Sequence, residues 1–223
     1  MIVIFDLDDT LYKEIDYLKS AYNEIALFIC NVTKNELDHS SVYNELLTSY
    51  YQGKNPFQSL LNNHNFPDDF LNILIDTYRN HIPLIMLDYE TEDILKYLKK
   101  EKAKLGLLTD GRSVQQRNKI KALGLSEYFE NILISEEFGS EKPAAKNYTH
   151  FIEKFGAGIY FYIADNSNKD FFSPNKLGWI TIGLLDNGMN IHQQSLLPEK
   201  EYQPLYWVKS INEVKTIINK HII

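Results

Sequence analysis

The feature of this sequence that most constrains its fold is a series of short, nearly continuous apolar runs rich in β-branched and aromatic residues. They fall at Ile2–Phe5, Leu105–Leu108, Ile132–Ile134, Ile159–Ile163 and Ile180–Leu184, with a weaker one at Leu205–Val208. Runs that do not alternate with polar residues suit strands buried on both faces of a parallel sheet. Helix-period segments separate them. Thr91 is placed to cap a helix that opens on Glu92 and Asp93 and ends on Lys99, Lys100 and Lys102, a charge order that suits the helix dipole. Ser113 and Gln116 read as a capping box, with Gly124 closing that helix. Pro143 reads as the first turn of another helix, whose apolar side is Tyr148, Phe151, Ile152 and Phe155. The alternation predicts an α/β fold, a doubly wound Rossmann-like parallel sheet with right-handed crossovers.

One region breaks the alternation. From 16 to 82 only helical patterning is present. Leu18, Ala21, Tyr22, Ile25, Phe28 and Ile29 make one face, and Val42, Leu46, Leu47 and Tyr50 another. Asn55-Pro56 and Phe66-Pro67 mark further helix starts. The expected organisation is a core of 1–15 and 83–223 with a small helical domain, 16–82, inserted after the first strand. A chain of 223 residues is long enough to bury a substantial core.

The formal net charge of −7 argues against a general nucleic-acid or acidic-membrane binder, because phosphate surfaces need basic partners. Cys30 is the lone cysteine, so an internal disulfide is excluded, and no Cys/His spacing suits zinc. No apolar stretch reaches the length of a bilayer crossing, and the N-terminal apolar run is too short for an export signal. The cytoplasm is the expected compartment.

In an open parallel sheet, ligands bind beyond the carboxyl ends of the strands. The first run empties into Asp6-Leu7-Asp8-Asp9-Thr10 and the second into Thr109-Asp110-Gly111. The third is followed by Glu141-Lys142-Pro143, and the fourth by Asp165-Asn166 with Asp170 just beyond. Carboxylates, a hydroxyl and a lysine would then share one rim. Clustered carboxylates repel unless one is protonated or a cation sits among them, and all-oxygen ligands suit a hard ion such as Mg²⁺. Taken one at a time these residues have plainer readings. Asp8, Asp9 and Thr10 suit a turn, Lys142 a solvated surface, and Asp165 and Asp170 a helix cap or Asx turn.

As an ordered set they resemble the haloacid dehalogenase superfamily, in its phosphatase branch with a helical cap between the first two core strands. The segment Asp6–Thr10 matches that family's Asp-x-Asp-x-Thr motif. Thr109 stands for the second motif, Lys142 for the third, and Asp165 with Asp170 for the fourth. The resemblance implies a Mg²⁺-dependent phosphatase acting on small-molecule phosphate esters through an aspartyl-phosphate. Asp6 is then the nucleophile, and Asp8 the acid and base. Asp6, the Asp8 carbonyl and Asp165 are the expected metal ligands. Thr109, Asp110, Gly111 and Lys142 are the expected phosphate-binding groups, aided by amides opening the helix after Ser113. Thr10 and Asp170 are expected behind these, Asp170 acting through water or by orienting Lys142. Relatives often carry Asn where this chain has Asp110, so that side chain is expected to point away or to contribute only its backbone amide, and Arg112 to pair with it, to reach substrate or to stay solvated on its loop. Pro174 also interrupts a segment that relatives continue as helix; Ser173-Pro174 still reads as the start of a short helix ending at Gly178.

Three alternatives stay open at this level. Dehalogenases share the nucleophile, but a halide leaves without a proton, so Asp8 favours phosphate esters. Phosphomutases share the whole motif set. A non-catalytic module on the same fold is the third reading, although both Asp6 and Asp8 are present. A monomer or a homodimer is expected. Tyr17, Tyr22, Tyr50, Tyr51 and Phe57 suit either helix packing or stacking on a substrate ring.

Overall fold

A computed structural model describes residues 1–194 and 199–222. Along the chain the elements are β1 (Ile2–Phe5), α1 (Glu14–Val32), α2 (His39–Tyr51), α3 (Pro56–His64), α4 (Phe70–Asn80), α5 (Tyr89–Lys100) and β2 (Lys104–Thr109). There follow α6 (Ser113–Ala122), β3 (Asn131–Ile134), α7 (Ser135–Phe138), α8 (Ala145–Phe155) and β4 (Tyr160–Ala164). The chain continues through α9 (Phe172–Lys176), β5 (Ile180–Leu184), β6 (Tyr206–Val208) and α10 (Glu213–Ile222). The chain divides into two compact units, Met1–Ile15 with Met86–Ile223, and Asp16–Ile85. The expected break after residue 82 therefore lies at 85, because 83–85 continue the helical unit, where the Leu84 amide donates to Ser20 Oγ at 2.8 Å.

In the first unit the strands form one sheet in the order β3-β2-β1-β4-β5-β6, every pair parallel. The chain winds outward from β1 through β2 to β3, then returns to place β4 on the other side of β1. That reversal puts the ends of β1 and β4 side by side, with Phe5 level with Ile163. Every residue of β1 and β4 is buried, as strands covered on both faces require. On one face Ile4, Leu108 and Tyr162 pack with Tyr148 and Phe151 of α8. Gly106 admits this close approach: a Cβ there would lie 2.6 Å from both Ile4 Cδ1 and the Phe151 ring. Among the described residues no helix is long and apolar enough to cross a membrane.

In the second unit, α1 buries Leu18, Ala21, Tyr22, Ile25 and Ile29, while Phe28 is only partly covered. Its neighbours start where short polar side chains meet orphan amides. Asp38 accepts from the Ser41 amide ahead of α2, and Asn55 accepts from Phe57 and Gln58 with Pro56 opening α3. Tyr22 packs edge-on against Phe57 at 6.2 Å, and Tyr17 against Tyr78 at 5.4 Å, with the Tyr17 hydroxyl donating to the Tyr78 carbonyl. Tyr17, Tyr22 and Phe57 thus serve the packing of this unit.

Four helix starts differ from the sequence reading, the first being α4, which opens at Phe70 rather than at Phe66-Pro67. Asp88, not Thr91, caps α5, its carboxylate accepting from the Thr91 amide at 2.7 Å. Pro143 stands before α8, which begins at Ala145, because the preceding turn is held by the Lys142 amide donating to Asp110 Oδ1 at 3.1 Å. Ser113 and Gln116 form no capping box. The Ser113 amide donates to Glu136 Oε2 at 2.7 Å, and Gln116 turns inward.

Candidate active site

The reversal at β1 and β4 gathers the strand-end residues. The loop after β1 carries Asp6, the loop after β4 carries Asp165 and Asp170, and Lys142 enters from the turn before α8. Lys142 is buried, and its ammonium lies 2.8 Å from Asp6 Oδ1 and 2.7 Å from Asp170 Oδ1. Carboxylate oxygens of Asp6, Asp165 and Asp170 all lie within 4.8 Å of one another. Asp170 is anchored on every side. Tyr162 donates to Oδ1 at 3.0 Å, and the Asn166 amide donates to Oδ2 at 3.0 Å.

The charges in this cluster do not balance. Burial pushes the Asp6 carboxyl up to about 7 against the pull of Lys142. Burial, followed by repulsion from Asp6 and Asp170, pushes Asp165 up to about 9. Burial also works against the Lys142 ammonium, but Asp170 and Asp6 outweigh it and hold lysine charged well above its ordinary range. Three buried carboxylates facing one ammonium, all hard oxygen donors, fit a divalent cation of the Mg²⁺ type.

A testable pH dependence follows. Asp6 and Asp165 have folded-state values above the ordinary 3.8. Each therefore contributes stability that is complete below about 4 and is lost as pH rises, through about 7 for Asp6 and about 9 for Asp165. In a chelator the melting temperature should fall between pH 5 and pH 9, and Mg²⁺ should raise it far more at the upper end. Thermal melts with and without Mg²⁺ check this; curves insensitive to both would contradict it.

Asp8 is held differently. Lys119 Nζ lies 2.7 Å from Asp8 Oδ1, the Tyr12 hydroxyl donates to the same oxygen at 2.6 Å, and Gln116 Nε2 donates to Oδ2 at 2.8 Å. Burial works to raise the Asp8 carboxyl, but Lys119, with Tyr12 and Gln116, outweighs it and holds it below the usual range. Lys119 is itself buried and shared with Glu14 at 3.2 Å. Burial and the neighbouring Asp8 push Glu14 up to about 7.

A cavity of about 100 Å³ opens onto this arrangement, lined by Asp6, Asp8, Thr109, Asp110 and Asp165, with Lys169 and His192 as basic members of its wall. The expected phosphate-binding groups separate here. Thr109 and Asp110 line the cavity. The Gly111 amide instead donates to Ser135 Oγ at 2.9 Å, which directs it away. Glu136 likewise occupies the amide end of α6. Asp110 does not pair with Arg112. Its carboxylate accepts from the Lys142 amide and meets Lys169 at 3.1 Å, while Arg112 binds Glu136 at 2.7 Å. Thr10 is buried, and its hydroxyl has no hydrogen-bond partner among the described residues. Asp9 adopts a left-handed backbone, φ 56°, and its carboxylate accepts from the Glu14 and Ile191 amides.

The motifs pass over several residues of this site. Gln116 and Lys119 are buried on one face of α6, where a helix beside a sheet ordinarily presents apolar residues; their polarity at that spacing is the signal that could have found them. The loop after β5 is a second omission. Asn190 donates to Asp165 Oδ2 at 2.9 Å, Gln194 donates to the Asp165 carbonyl at 2.6 Å, and His192 reaches the cavity wall.

Residues 3–183 match the family model for haloacid dehalogenase-like hydrolases, and the chain belongs to that family. It is 27% identical to a glyceraldehyde 3-phosphate phosphatase from Methanocaldococcus jannaschii, over 97% of this chain and 96% of that protein. It is 31% identical to a pyrimidine 5′-nucleotidase from Escherichia coli over 53% of this chain and 51% of that one. The fold is similar to a magnesium-bound hydrolase, YfnB, from Bacillus subtilis, with a TM-score of 0.67 at 20% identity over 98% of both chains. It is also similar to a 2-haloacid dehalogenase from Pseudomonas syringae, with a TM-score of 0.65 at 17% identity over 99% of both. The fold is therefore shared across different reactions, and the reaction must be argued from the site.

Proposed function

We propose that this chain hydrolyses small phosphate monoesters, with Asp6 as the nucleophile and Asp8 as the proton carrier. The observation that carries the reading is the pairing of two unlike carboxylates on one loop. Asp6 sits among buried acids beside Lys142, whereas Asp8, two residues on, is ringed by the donors Lys119, Tyr12 and Gln116. In the first half-reaction an Asp6 oxygen bonds to phosphorus, and the bond from phosphorus to the ester oxygen breaks. Asp8, held ionised in the free enzyme by Lys119, Tyr12 and Gln116, takes a proton from the entering monoester monoanion and passes it to the departing oxygen. In the second half-reaction Asp8, again a carboxylate, takes a proton from water as that water attacks phosphorus. The bond to Asp6 breaks and phosphate leaves. Lys142 and the Thr109 hydroxyl carry phosphoryl oxygens, and Asp170 holds Lys142 in place. Asp6, Asp165 and the Asp8 carbonyl would hold Mg²⁺, which when bound supplies charge neutralisation between the acids and an incoming phosphate.

A proton carrier is redundant for a halide and needed for an alkoxide, which favours phosphate esters over haloacids. The relatives support the same class. Glyceraldehyde 3-phosphate and a pyrimidine 5′-nucleotide, the substrates in their names, differ in everything except the phosphoryl group. We assign selection of the rest of the substrate to the inserted helical unit, and place the reaction in the cytoplasm. The test is phosphate release from an aryl phosphate, a three-carbon phosphate and a 5′-nucleotide, alongside chloride release from a 2-chloro acid. We expect Mg²⁺-dependent phosphate release and no chloride. Chloride release without phosphate release would sink the assignment.

A further inference from the structure

We infer that Gln116 is a positioning residue for phosphate binding: its side-chain amide fixes the direction in which the Thr109 hydroxyl presents its hydrogen. The inference rests on the reading of Thr109 as a phosphate-binding group. Gln116 Nε2 lies 2.6 Å from Thr109 Oγ, 2.8 Å from Asp8 Oδ2 and 3.2 Å from the Asp110 carbonyl oxygen. A carbonyl accepts hydrogen bonds and cannot donate one, so the nitrogen of the amide, not its oxygen, faces this group. Thr109 Oγ therefore receives an N–H. A hydroxyl that is already accepting turns its own hydrogen elsewhere, and among the described residues no other hydrogen bond to this hydroxyl is present. Thr109 lines the cavity that also holds Asp6 and Asp165. Its hydrogen is thus left for an acceptor in that cavity, which a phosphoryl oxygen supplies.

Two further observations fit. Gln116 is only 2% exposed, so its amide is held by packing rather than sampling solvent. Gly111 makes room for it: a Cβ there would lie 3.2 Å from Gln116 Cγ and Cδ, on a backbone with φ +140°. The local path after β2 is thereby shaped around this one side chain, which ties the Asp8 and Thr109 loops together.

The experiment is a double-mutant cycle read by competitive inhibition with inorganic phosphate in Mg²⁺ buffer, using wild type, Gln116→Met, Thr109→Val and the double variant. Urea midpoints establish that each is folded. If Gln116→Met does not fold, Gln116→Asn, which keeps an amide but falls one methylene short, replaces it. We expect each single variant to weaken phosphate binding roughly tenfold. We expect the double variant to match Thr109→Val within about twofold. Unchanged affinity in the Gln116 variant, or losses that multiply in the double variant, would overturn the inference. A Thr109→Val protein that binds phosphate as well as wild type would overturn the phosphate-site reading beneath it.

Discussion

Replacing Asp6 by Asn should lower turnover of any phosphate monoester by on the order of 10⁴-fold or more, while leaving a folded protein. The amide is nearly isosteric but has no anionic oxygen to bond to phosphorus. It also removes one of the three clustered carboxylates, relieving the cost of burying its charge and its repulsion with Asp170. The variant is therefore expected to be at least as stable as wild type in a chelator at pH 8. Steady-state phosphate release and a urea unfolding curve on the same preparation check both halves. Turnover within tenfold of wild type would remove Asp6 from the reaction.

Lys142→Met should instead lose both activity and stability. Its ammonium is fully buried between Asp6 and Asp170, and Asp170 is also fully enclosed. Removing one partner of such a pair leaves uncompensated buried charge, at about 3–5 kcal/mol. The loss should shrink at low pH, where Asp6 takes up a proton, and grow as pH rises through the Asp6 value of about 7. Denaturant unfolding at pH 5 and pH 8 measures it. A cost equal at both values would mean that Lys142 supports the fold by packing alone.

The fold was largely legible because strands buried on both faces spell themselves as uninterrupted apolar runs, and β1 and β4 are wholly buried. The carboxylates were legible for a related reason: residues just past a parallel strand must gather at one rim. The partners of those carboxylates were not. Gln116 and Lys119 approach Asp8 from more than a hundred positions away, and sequence spacing says nothing about such contacts. Asp110 was expected to point away or to offer only its backbone amide, with Arg112 as a partner for its carboxylate. The partner turned out to be Lys169, because the loop after β4 returns it across the rim, while Arg112 is drawn to Glu136. Helix starts slipped where a tertiary acceptor competes with a local cap, as Glu136 does for the Ser113 amide.

The most direct measurement follows the wild-type enzyme through a rapid acid quench during turnover of a phosphate monoester with Mg²⁺, then borohydride reduction and peptide mapping. An acyl phosphate on Asp6 is reduced to homoserine, so the account predicts that conversion at position 6 and at no other acid. Phosphate release at full rate with every aspartate recovered intact, or a label on a different residue, would contradict it.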